Sequence, residues 1–90
     1  MQHVLNDGSM YFSYEDDKEA VKIFFDEATK GILTVTKVET NPLYRGRGLA
    51  AEAMQIFFDE LKSQNKKMKP VCPYAKYWAD NNVEDKTYLI

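Results

Sequence analysis

Arg45-Gly46-Arg47-Gly48-Leu49-Ala50 joins two segments of different character in this chain. The preceding segment, residues 32–39, is rich in β-branched side chains and predicts a strand. The following segment, residues 49–64, carries apolar side chains at helical spacing and predicts an amphipathic helix. A glycine-containing turn that opens a helix leaves backbone N–H groups unpaired at the positive end of the helix dipole. The turn therefore predicts a binding site for a phosphate or pyrophosphate, to which its two arginines add full charges.

Two familiar phosphate-binding patterns do not fit this turn. It is not a P-loop, because no Gly-Lys-Ser/Thr follows it. It is also a poor dinucleotide fingerprint, because Ala51 holds the third glycine position and the ribose-binding acid expected about 20 residues further on is missing. A simpler alternative stays open, in which Gly46 and Gly48 only make a tight strand-to-helix connection and the arginines are solvated.

The rest of the chain predicts a mixed sheet with two helices. The N-terminal half predicts three short antiparallel strands, over residues 11–14, 20–25 and 32–39. Residues 68–72 predict a fourth strand, which a right-handed crossover makes parallel to the third. Pro73 favours the first position of a helix over residues 73–82. The expected fold class is α/β (α+β): an antiparallel meander, a strand-helix-strand crossover and a C-terminal helix, with residues 83–90 unassigned.

Composition restricts the class of protein. Ninety residues predict one domain, 1–90, and twelve basic against fourteen acidic residues argue against binding to duplex nucleic acid. No apolar run is long enough to span a bilayer, so we expect a cytoplasmic protein with no membrane partner. The single cysteine, Cys72, excludes an internal disulfide and a zinc-ligand spacing, and no metal site is expected. Phe57 and Phe58 cannot point to one side of a helix, so we expect one of them on an outer face, in a monomer or weak homodimer.

The turn resembles the pyrophosphate-binding turn of the GNAT N-acetyltransferase superfamily, whose signature is Arg/Gln-x-x-Gly-x-Gly/Ala. Arg45, Gly48 and Ala50 fall on its three defining positions. The approach to the turn, residues 40–44, carries a proline and an aromatic, as the strand exit of that superfamily does. The Cys72-Pro73 pair after the next strand is similar to the small single-domain branch, and the resemblance covers residues 11–82.

The resemblance implies a minimal GNAT-type fold that binds acetyl-coenzyme A, or another acyl-coenzyme A, along the third strand. It implies transfer of the acetyl group to an amine of a small molecule or a protein, an acceptor that the sequence does not identify. The backbone of the turn would hold the pyrophosphate, and Arg45 would support the turn or pair with phosphate. The cofactor-binding residues implied in this way are Thr40, Arg45, Gly46, Arg47, Gly48, Leu49 and Ala50.

The resemblance also implies two catalytic candidates. Cys72 would lie at the start of the last helix, where the dipole favours a thiolate, near the thioester. Glu39 would lie near the end of the third strand as a general base. The alternatives are a buried structural cysteine and an exposed strand-end carboxylate. Larger relatives place a tyrosine acid where this chain has Ala79, and Tyr74 and Tyr77 are out of register with it.

Two rival hypotheses therefore remain beside the enzyme. One is a non-catalytic acyl-coenzyme A-binding or interaction module that has kept the anion-binding turn and lost the acid. The other is a small domain whose glycine turn binds nothing.

Overall fold

The computed structural model describes all 90 residues and contains a single five-stranded sheet with two helices. The strands are β1 (His3–Asn6), β2 (Ser9–Tyr14), β3 (Asp17–Thr29), β4 (Ile32–Thr40) and β5 (Lys67–Pro70), and the helices are α1 (Leu49–Ser63) and α2 (Pro73–Asn82). Strand order follows the chain; β1 to β4 are antiparallel and β5 is parallel to β4. The predicted meander, crossover and C-terminal helix are confirmed.

One face of the sheet packs against the helices. Ile23 and Val35 supply fully buried side chains from the strands, and α1 supplies Leu49, Ala53, Met54, Phe57, Phe58 and Leu61. The expectation that one phenylalanine of the pair lies on an outer face is wrong, because both are buried. Phe57 packs on Phe25 of β3, at 5.3 Å between ring centroids, and Phe58 packs on Trp78 of α2, at 5.7 Å. The second helix thus covers the side of α1 that the sheet does not reach.

The other face of the sheet carries polar and aromatic side chains and no helix. Lys22 and Glu39 are register partners, next to the buried Ile23 and its half-buried partner Val38, so alternation places them on this open face. Tyr11 lies opposite Lys22 on β2 and stays partly exposed.

β4 and β5 separate halfway along β4, and this separation opens a gap in the sheet. Their pairing ends at Val35 and Pro70, where the Val35 carbonyl accepts the N–H groups of Val71 at 3.0 Å and Cys72 at 3.2 Å. A bulge at residue 36 interrupts the β3–β4 register at the same point. Beyond it β4 continues to Thr40 while the chain of β5 turns into α2. We call the space between residues 36–40 and the start of α2 the wedge.

Two elements were not predicted. β1 forms a hairpin with β2, but all four of its side chains are exposed, so it shows no apolar alternation. The unassigned tail forms a 3₁₀ helix, Lys86–Tyr88, and then runs along β5, where the Ile90 N–H donates to the Met68 carbonyl at 3.0 Å. Neither helix of the fold is long and apolar enough to cross a membrane.

Candidate functional site

The turn between β4 and α1 has a backbone that favours glycine at two positions. Gly46 has φ +78° and Gly48, the N-cap of α1, has φ +72°. A Cβ built on either residue would meet nothing within 4 Å, so the left-handed backbone and not lack of space is the reason for glycine. Before the turn, a 3₁₀ helix (Pro42–Tyr44) is capped by the Asn41 side chain, which accepts the Leu43 N–H at 3.0 Å.

The main-chain N–H groups of this turn have no acceptor within the protein. None of those from Gly46 to Ala51 donates to a backbone or side-chain atom, and Gly48 caps the helix without a side-chain hydrogen bond. The next N–H, that of Glu52, bonds the Gly48 carbonyl at 3.1 Å. We call the N–H groups of residues 46–51 the amide row. They lie at the positive end of the α1 dipole, a place suited to an anion.

The turn forms one wall of a cavity of about 160 Å³. Of the predicted cofactor-binding residues, Thr40, Arg45, Gly46, Gly48, Leu49 and Ala50 line this cavity together. Tyr74 of α2 also lines this cavity, together with Thr40 of β4, so the cavity lies at the mouth of the wedge. The sequence did not indicate Tyr74 as a site residue, because it is out of register with the tyrosine acid of larger relatives. Its position two residues after Cys72, in the first turn of the last helix, was the one signal that it lies near the site.

The two arginines of the turn point to different surroundings. Arg45 is exposed, makes no ion pair, and lines both this cavity and a larger polar cleft of about 700 Å³. Arg47 does not line the cavity. Its guanidinium donates to the Tyr14 hydroxyl at 3.3 Å and lies 5.8 Å from the ring centroids of Tyr14 and Tyr44. Arg45 is therefore the side chain that carries a positive charge beside the amide row.

The open side of β4 adds main-chain groups to the site. The Asn41 N–H points to β3, where it donates to the Ala20 carbonyl at 2.8 Å. Since backbone groups alternate in direction along a strand, those of Val38 and Thr40 point the other way, into the wedge. β5 does not reach this far, so the wedge offers an unpaired strand edge beside the amide row.

Cys72 lies at the apex of the wedge, where β4 and β5 separate. It is the N-cap of α2, and its Sγ accepts the Ala75 N–H at 3.3 Å. The cysteine is a free thiol and half-buried.

Glu39 lies on the open face of the sheet. Its carboxylate pairs with the ammonium of Lys37 at 2.6 Å, and this hydrogen bond holds the pKa of Glu39 below its usual value. Glu39 lines the polar cleft together with Thr40 and Arg45, whereas no cavity is lined by both Glu39 and Cys72. The structure thus groups Glu39 with the turn and not with the thiol.

The tyrosines of α2 differ in environment. Tyr74 is half-buried, and burial raises the pKa of its phenol, so the hydroxyl keeps its proton near neutral pH and can donate a hydrogen bond. Tyr77 is 65% exposed and lines none of the cavities, and Ala79 is buried in the core. No acid replaces the missing tyrosine at position 79.

Comparisons with known proteins agree with this fold. The family model described as GCN5-related N-acetyl-transferase matches residues 10–88. The fold is similar to the solution NMR structure of a GCN5-like candidate N-acetyltransferase from Staphylococcus aureus, with a TM-score of 0.72 and 11% sequence identity. The similarity covers 99% of this chain and 87% of that chain. No curated protein matches the sequence.

Proposed function

The chain belongs to the GCN5-related N-acetyltransferase family, and we propose that it binds acetyl-coenzyme A and transfers the acetyl group to a primary amine of a small molecule or a protein. The activity is proposed for the cytoplasm, without a nucleic-acid or membrane partner. The observation that carries this proposal is the amide row, a set of N–H groups without protein acceptors at the positive end of α1.

The amide row fits a pyrophosphate better than a neutral ligand. Charge-assisted hydrogen bonds from backbone N–H groups to an anion are about twice as strong as neutral ones. In the proposed complex residues 46–51 donate to the diphosphate oxygens, and Arg45 supplies the compensating charge. Because glycine occupies positions 46 and 48, no Cβ stands between the backbone and the phosphates.

The wedge fits the arm that links the diphosphate to the thioester. That arm carries amide groups, and the outward main-chain groups of Val38 and Thr40 can pair with them as an added strand would. Tyr74 lines the cavity at the mouth of the wedge and offers a protonated hydroxyl. An arm that runs along the wedge from the turn leads toward Cys72 at its apex.

The bound coenzyme would supply an acetyl thioester, from which an amine displaces the coenzyme thiolate. The residues of this chain would hold the reactants and move the amine proton. Glu39 is the proposed acceptor of that proton, directly or through water. Its ion pair with Lys37 stabilises the charged carboxylate, which keeps it ionised at neutral pH and makes it a weak base. Cys72 is proposed to lie beside the thioester, as a hydrogen-bonding group or as an acyl acceptor.

A second candidate function is supported by the lack of a free acid or base at two positions. Ala79 is buried at the position where larger relatives carry a tyrosine acid, and Glu39 is already paired. A protein with these features can keep the ligand and lack turnover. In that case it is an acyl-coenzyme A-binding module.

Calorimetry and a thiol-release assay separate these functions. We expect acetyl-coenzyme A to bind the wild-type chain, and Cys72→Ser and Glu39→Gln to keep binding while lowering thiol release in the presence of amines. Lys37→Gln, which frees the carboxylate, is the matched control and should raise the pKa seen in the rate profile. Binding without thiol release for any amine would favour the binding module, and absence of binding at millimolar ligand would contradict both functions.

A further inference from the structure

We propose that Arg47 acts on coenzyme binding by holding the turn in shape and not by contacting phosphate. Its side chain ties the amide row to the β2–β3 hairpin, which makes it a positioning residue. This inference rests on the proposed function, because it concerns the same anion-binding turn.

The contacts of Arg47 form a compact group that we call the Arg47 clamp, consisting of Arg47, Tyr14, Glu15 and Tyr44. The guanidinium donates to the Tyr14 hydroxyl at 3.3 Å and has a carboxylate oxygen of Glu15 at 3.9 Å. It lies 5.8 Å from the ring centroid of each tyrosine. The two rings meet edge to face, with centroids 5.1 Å apart. The guanidinium of Arg47 thus contacts a hydroxyl, a carboxylate and two aromatic rings.

The clamp connects three segments that are distant in sequence. Tyr14 is the last residue of β2, and Glu15 follows in the tight turn to β3, with φ +55°. Tyr44 ends the 3₁₀ helix that leads into the glycine turn. Arg47 lies between the two glycines with positive φ, so its side chain fixes the middle of the turn to the end of the β2–β3 hairpin.

The turn has few other restraints. Between the Arg45 N–H, which bonds the Pro42 carbonyl at 3.4 Å, and the Glu52 N–H, no main-chain N–H is hydrogen-bonded. Both glycines face open space, and the side chain of Arg45 makes no ion pair or hydrogen bond within the protein. Glycine loses more conformational freedom than any other residue when it is ordered. A turn already ordered by the clamp binds its anion with less entropy loss.

The chemistry of the clamp distinguishes two roles of Arg47, positioning the turn and contacting phosphate directly. A lysine keeps the positive charge, but it has no planar fork that can stack on two rings while donating to a hydroxyl. The Tyr14 hydrogen bond also raises the pKa of Arg47, which favours the charged form of its side chain. Arg45 remains free to serve as the phosphate cation.

The test measures free coenzyme A binding by calorimetry, and backbone ¹⁵N relaxation of the ligand-free chain. We expect Tyr14→Phe and Arg47→Lys to weaken binding about three- to tenfold each, and Gly46 to Gly48 to become more mobile. In an Arg47→Ala background, Tyr14→Phe should have no further effect. Tyr11→Phe is the matched control, since Tyr11 has Lys22 over its ring at 5.4 Å on the open face. It should bind as the wild type does.

The outcomes distinguish this inference from the proposed function. If Arg47 contacts phosphate, Arg47→Lys keeps most of the affinity and Tyr14→Phe keeps all of it, and the inference is wrong. If the wild type binds and every clamp variant binds equally well, only the inference fails. If the wild type does not bind, the proposed function fails, and the relaxation data still test the clamp, because unchanged mobility in Tyr14→Phe would refute it.

Discussion

Replacement of Gly48 by alanine should weaken coenzyme binding at least about tenfold, in addition to a moderate loss of stability. Gly48 has φ +72°, and a Cβ there meets no atom within 4 Å, so the cost comes from the backbone alone. Gly31, in the β3–β4 hairpin, has φ +85° and equally open surroundings. The two glycines lie beyond opposite ends of β4, whose nine residues span roughly 30 Å. Gly31→Ala is therefore a control with the same strain at a distant place.

The size of both effects follows from this geometry. A left-handed backbone costs an L-residue about 1–2 kcal/mol, so each variant should lose that much stability. For a chain of this size, each kcal/mol lowers Tm by about 4–8 °C. At Gly48 the strain is relieved when φ moves away from the left-handed region, and this turns the N–H groups of the amide row out of alignment. Loss of one charge-assisted hydrogen bond costs about 1.5–3 kcal/mol, or at least about tenfold in affinity.

Thermal melts and calorimetry with acetyl-coenzyme A measure the two quantities on the same samples. We expect similar losses of Tm for Gly48→Ala and Gly31→Ala, and a tenfold or greater loss of affinity for Gly48→Ala alone. Equal affinities for the two variants would show that the amide row does not hold the ligand.

Three further predictions concern Cys72, Phe57 and Glu27. Cys72→Ala should abolish any acetyl adduct seen by mass spectrometry after incubation with acetyl-coenzyme A, whereas an adduct that persists would place the acyl group elsewhere. Phe57→Ala should lower the free energy of unfolding by about 3–5 kcal/mol in urea, because Phe57 is 1% exposed and packs on Phe25; a loss below about 1 kcal/mol would contradict the core assignment. The Gly31 N–H and Lys66 lower the pKa of Glu27 from 4.5, so its contribution is present above that value and lost as pH falls below it. Glu27→Gln should therefore melt below the wild type at about pH 7, the difference should shrink as pH falls below 4.5, and a difference independent of pH would contradict this ion pair.

The strands and helices that the sequence predicted are those whose side chains alternate or recur with a clear period. The crossover was predictable because Arg45 to Ala50 marks the join between β4 and α1, and Pro73 begins α2 as expected. β1 was not predictable, because its exposed side chains carry no apolar pattern and its place depends on pairing with β2. The ends of β3 were not predictable either, because they extend beyond its apolar residues and carry exposed side chains.

The candidate site was predictable in its backbone and less so in its side chains. The glycines indicated free N–H groups, since that property follows from the start of a helix. The direction of Arg47 depends on Tyr14, more than thirty residues earlier, and on Tyr44, so no local pattern indicates it. Lys37 and Glu39 lie two residues apart in a regular part of β4, so alternation places them on one face and was a signal of their pairing.

The central claim is that the main-chain N–H groups of residues 46–51 bind the diphosphate of acetyl-coenzyme A. A ¹H–¹⁵N NMR titration of the full chain observes these groups one by one. We expect their signals to shift together and to saturate with a single affinity, and free pyrophosphate to move the same signals more weakly. Binding that leaves the N–H signals of residues 46–51 unchanged would contradict the claim.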